Sequence, residues 1–119
     1  MKNDFNLQNT TEQTKDSMFG AIWLWCISEG YEEAFDTEDI CFIKEGKTTN
    51  FIIEFDKSKE DLLTCIHNSK EKYDYIYVVI NDSSKHRELE KIIPDYCGIF
   101  CNSNAFGTGN VTQIFREAK

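Results

Sequence analysis

The residues best suited to chemistry are an aspartate heading one β-like run and a Glu-x-Asp inside the next. Asp39 opens Asp39-Ile40-Cys41-Phe42-Ile43, and Glu54 and Asp56 lie in Phe51-Ile52-Ile53-Glu54-Phe55-Asp56. In an extended strand alternate side chains share a face, so Ile52, Glu54 and Asp56 point one way and Phe51, Ile53 and Phe55 the other. If the two runs pair as a hairpin with residue 41 opposite residue 54, Asp39 stands opposite Asp56 and diagonal to Glu54. Three carboxylates then converge, whereas a slip of one residue sends the first run to the other face. Acids gathered beside a buried strand repel one another and raise their own pKa values. A divalent cation relieves that repulsion, and hard oxygen donors suit Mg²⁺ or Mn²⁺. The plainer alternative is that both strand ends reach solvent, where the acids are simply hydrated.

These runs need neighbours to hold them. Residues 1–9 are polar and read as a loose N-terminus. Thr10 to Gln13 has the capping-box pattern of a helix start, with Met18, Ile22, Trp25 and Cys26 at helical spacing and Gly30 as a stop. Tyr31–Phe35 reads as a short edge strand. Glu45-Gly46-Lys47 with Thr48–Asn50 reads as the hairpin turn between the two acidic runs. Ser58 caps a second helix whose apolar face is Leu62, Leu63, Cys65 and Ile66. Asp74–Asn81 is nearly continuously apolar, the pattern of a central strand covered on both sides. Residues 83–93 form a short third helix ended by Pro94, followed by strands at Tyr96–Cys101 and Val111–Phe115 around a Gly/Asn-rich loop at 102–110. This order predicts one α/β domain over residues 10–119, a three-layer fold with a central mixed β-sheet flanked by helices.

The 119 residues leave room for one hydrophobic core. Thirteen basic against twenty-one acidic residues give a net charge of −8, which opposes tight, indiscriminate coating of a polyanion but not a local site. No apolar run approaches the roughly 18–20 residues that span a bilayer, and Met1-Lys2-Asn3-Asp4 lacks a signal-peptide core, so the expected compartment is the cytoplasm, without membrane partners. The five cysteines, Cys26, Cys41, Cys65, Cys97 and Cys101, sit within apolar segments and read as core thiols. Cys97 and Cys101 lie on one strand about 13 Å apart, too far to share a zinc ion.

The order of elements around Asp39 and Ile53-Glu54-Phe55-Asp56-Lys57-Ser58-Lys59-Glu60-Asp61-Leu62 resembles the PD-(D/E)XK nuclease superfamily. Those enzymes carry an Asp on one hairpin arm and Glu-x-Lys on the next, followed by a helix and a central strand. Downstream, Tyr73-Asp74-Tyr75-Ile76-Tyr77-Val78-Val79, Ile93-Pro94-Asp95-Tyr96-Cys97-Gly98-Ile99 and Arg116-Glu117-Ala118-Lys119 are similar to the small MmcB-like DNA-repair branch of that superfamily. The resemblance covers roughly residues 10–119 through short, degenerate motifs. It implies a restriction-endonuclease-like fold and a divalent-metal-dependent DNA endonuclease that hydrolyses phosphodiester bonds with Mg²⁺ or Mn²⁺. Asp39, Glu54 and the Phe55 carbonyl would be metal ligands, and Glu12 an outer-shell acid. The chain departs from the pattern where Asp56 occupies the place of the catalytic lysine. Asp56 would then orient a water or hold a second metal, and Lys57 or Lys59 would supply the displaced cation. The alternative is a catalytically degenerate relative that binds protein or nucleic acid. Cutting both strands of a duplex is compatible with a homodimer.

Other residues weigh less. His67 and His86 have no recognisable nucleophile beside them. Lys85, Arg87 and Lys91 are interrupted by Glu88 and Glu90, the pattern of a solvated helix face. Trp23 and Trp25 read as core and interface rather than a stacking platform.

Overall fold

The computed structural model describes residues 15–34, 39–54, 57–103 and 111–119. The helix start expected at Thr10 and the outer-shell Glu12 lie outside them, as do Phe55 and Asp56. The described elements are α1 (Lys15–Ser28), β1 (Glu32–Glu33), β2 (Ile40–Lys44), β3 (Lys47–Ile53), α2 (Lys59–Lys70), β4 (Tyr75–Ile80), a 3-10 turn (Ser83–Lys85) running into α3 (His86–Glu90), β5 (Cys97–Ser103) and β6 (Val111–Arg116). The six strands form one mixed sheet in the order β1-β2-β3-β4-β5-β6. β3, β4 and β5 are parallel, and the remaining neighbours are antiparallel.

Period-2 alternation divides the core into two faces. Phe42, Phe51, Ile53, Tyr77, Val79 and Phe100 pack with Met18, Ile22 and Cys26 of α1. Ile52, Ile76, Val78 and Ile80 pack on the other face with Leu62 and Ile66 of α2 and Leu89 of α3. The result is the three-layer α/β arrangement expected from the sequence. β4, inside the sheet with buried residues on both faces, is the continuous apolar run Tyr75–Ile80.

The cysteines follow the core reading: all five are free, four are buried and Cys65 is half-buried. Burial pushes the Cys26 thiol up to about 12 and the Cys97 thiol up to about 11, so both stay neutral near pH 7.

The hairpin departs from expectation. Cys41 pairs with Asn50, not residue 54, and the ladder closes at Lys44↔Lys47. The turn is only Glu45-Gly46, with φ of 53° and 79°, the left-handed pair that a two-residue hairpin uses to match strand twist. With the turn that short, Thr48, Thr49 and Asn50 belong to β3 rather than to the loop. Replacing Gly46 by Ala forces a Cβ into the left-handed region and is expected to cost about 1 kcal/mol. Chemical denaturation should show a lower midpoint at unchanged slope; an unchanged midpoint would refute this turn geometry.

Candidate functional site

The corrected register moves Asp39. Ile40 pairs with Phe51, so one further step sets Asp39 at the level of Ile52, four residues short of the expected Asp56. The shift is an even number of residues, so side-chain parity and sheet face are retained. Asp39 precedes β2 and Glu54 follows β3, so both lie at the same end of the hairpin.

Glu54 is held by its backbone on both sides. Its N–H donates to the Val79 carbonyl at 3.0 Å, extending the parallel β3–β4 ladder, and its carbonyl accepts from the Lys57 N–H at 2.8 Å. The chain then enters α2, whose first turn is capped by the Ser58 hydroxyl accepting from the Asp61 N–H at 3.1 Å. Glu54 therefore stands where parallel strands end and a crossover begins, the part of an open α/β sheet where ligands usually bind.

The two acids have different partners. The Asp39 carboxylate accepts from the Tyr73 hydroxyl at 2.7 Å. The Glu54 carboxylate accepts from the Lys85 ammonium at 3.2 Å, and Lys85 also donates to the Asn81 side-chain oxygen at 3.2 Å. Each acid lines a cavity of its own: Asp39 one of about 510 Å³ with Asn50, Ile52 and Ser69, and Glu54 one of about 240 Å³ with Ser58, Lys85 and Glu88. Lys57 lines both. Lys59 borders the smaller cavity.

Among the described residues, no group of three or more His, Cys, Asp or Glu is placed to hold a metal ion. Asp56 and the Phe55 carbonyl lie outside those residues. Mg²⁺ is commonly held by one or two carboxylates together with substrate phosphates and water. Asp39 and Glu54 are hard donors of that type, and a cation would compete with Lys85 for Glu54.

Sequence reasoning missed three partners. Lys85, read as part of a solvated face, is part-exposed and also pairs with Glu54, and its only sequence signal is its place four residues after Asn81 at the end of β4. Tyr73 holds Asp39 across 34 positions, and Asn50 donates from its amide nitrogen to the Ser69 hydroxyl oxygen at 3.0 Å. His67 is exposed on the α2 surface, 3.9 Å from Glu71, and His86 stacks on Phe115 with centroids 4.6 Å apart. Trp25 packs edge-on against Phe100, whereas Trp23 is partly exposed. No helix among the described residues is long and apolar enough to cross a membrane. No protein-family model, curated protein or solved structure matches the chain.

Proposed function

We propose that this chain is a divalent-metal-dependent DNA endonuclease of the PD-(D/E)XK type, with a restriction-endonuclease-like core, acting in the cytoplasm. The observation that carries the reading is the placement of Asp39 and Glu54 at one end of the β2–β3 hairpin, with Lys57 lining the cavities of both. Asp39 and Glu54 are the residues that would hold Mg²⁺ or Mn²⁺, with Asp56 and the Phe55 carbonyl as further donors on the same segment. The ion, when bound, polarises the scissile phosphate and lowers the pKa of the attacking water. Lys57, in place of the lysine that Asp56 displaces, offsets charge on the phosphate. Tyr73 orients the Asp39 carboxylate and Lys85 that of Glu54, limiting the motion of both.

A specific observation favours a second reading, a degenerate relative that binds nucleic acid or protein without cutting. The Glu54 charge is already answered by Lys85, and the described acids form no three-ligand group. Plasmid nicking with Mn²⁺ separates the two readings. Asp39→Ala and Glu54→Ala are each expected to lower cleavage by at least about 100-fold, the scale on which removal of one group stabilising transition-state charge registers. Cleavage undiminished in both variants ends the assignment, and a parent chain that binds DNA without nicking it supports the second reading. Mn²⁺ should also raise the melting temperature of the parent more than that of Glu54→Ala, since a ligand of the native state stabilises by mass action.

A further inference from the structure

The larger cavity holds an unanswered polar group. Asn50 is 2% exposed and Ser69 7%, and both line this space between β2–β3 and the second half of α2. The Asn50 amide nitrogen donates to Ser69, but among the described residues its Oδ1 is buried with no hydrogen-bond donor. A buried acceptor left unmatched is costly, so an asparagine in the middle of a β-strand needs a reason beyond the fold. Turning the amide over makes the nitrogen the unmatched atom instead, so a polar partner is called for in either orientation.

Around Asn50 the lining is mixed. Ile40 and Ile52 are apolar, and Lys57 and Lys72 line the same cavity together with the acid Asp39. Its volume of about 510 Å³ falls within the range of small-ligand sites. That lining suits a ligand with an apolar body, a polar edge carrying donors and acceptors, and an anionic end facing the lysines. A nucleotide has all three: the Watson–Crick edge of a base carries both donors and acceptors, and its phosphate suits lysines.

We propose that this cavity is a binding site for one unpaired nucleotide of DNA, with the base edge on Asn50 and the phosphate between Lys57 and Lys72. The base comes from a strand end or is turned out of a duplex, as in enzymes that read a single extruded base. This deepens the endonuclease reading and rests on it for the choice of DNA as the source.

The test titrates the full chain with each of the four deoxynucleoside 5′-monophosphates, and with inorganic phosphate, in EDTA. At least one nucleotide is expected to bind with a Kd below about 1 mM, and Asn50→Leu and Lys57→Ala to weaken it about tenfold each. Should Asn50→Leu fail to fold, the side-chain amide resonances of Asn50 in the ¹⁵N-labelled parent give the same reading, because they must shift on titration. Three results each overturn the proposal: no nucleotide binding in that range, equal binding of phosphate alone, or Asn50 resonances that stay put. Since EDTA removes divalent ions, failure here is distinguishable from failure of the nuclease reading. Nucleotide binding without Asp39- and Glu54-dependent nicking sinks the enzyme assignment alone, and nicking without nucleotide binding sinks this site alone.

Discussion

Phe51→Ala is expected to destabilise the protein by about 4 kcal/mol, within the range for emptying a buried phenylalanine site. Phe51 is 2% exposed and sits at the middle of an aromatic group. Its ring stacks on Tyr77 at 5.5 Å and meets Phe42 and Phe100 edge-on at 6.0 and 5.4 Å. Truncation removes three ring contacts together with the buried area, and β-strand neighbours held in register on both sides cannot collapse into the gap. The total stability of a domain this size is about 5–15 kcal/mol, so the variant loses a large share of it. Phe51→Leu, which keeps more of the volume, should cost much less than Phe51→Ala. Urea denaturation of the three proteins checks this. A difference between parent and Phe51→Ala below about 1 kcal/mol is incompatible with a packed aromatic centre.

Gly98→Ala is expected to cost about 3 kcal/mol, by crowding rather than by loss. Gly98 lies opposite Tyr77 in the β4–β5 ladder, and a Cβ there runs into the Tyr77 ring and comes within 2.7 Å of the Ala118 backbone nitrogen. Neither obstacle moves freely. The Tyr77 hydroxyl donates to Glu117 at 2.8 Å, and the Lys119 N–H donates to the Tyr96 carbonyl at 2.9 Å, tying the last residues beside β5. Removing the ring in a Tyr77→Leu background should recover part of the penalty, leaving the backbone contact as the remainder. Thermal melts of the double-mutant cycle measure that coupling; additive costs would mean that the ring is not the obstacle.

The layers were legible because burial repeats with a simple period: Phe51-Ile52-Ile53 and Tyr77-Val78-Val79 alternate between the two cores as their positions require. The Ser58 cap was legible because its pattern is local. Register was not. It depends on a turn whose left-handed pair begins with Glu45, a residue type that carries no hairpin signal, and Thr48-Thr49-Asn50 has the composition of a loop. Asp39 was therefore set opposite residue 56, whereas one step beyond the ladder it is level with Ile52 and still diagonal to Glu54. Tyr73, Lys85 and Ser69 were beyond reach because each owes its partner to the docking of α2 or of the segment after β4, and pairings across 34, 31 and 19 positions leave no pattern in the chain.

The sheet order carries its own consequence. Every described strand lies beside the one made just before it, so no strand has to be threaded between two that are already joined. Assembly can advance from one edge in the direction of synthesis. A chain emerging from the ribosome could lay down each ribbon on a finished border, keeping loop-closure costs small at every step.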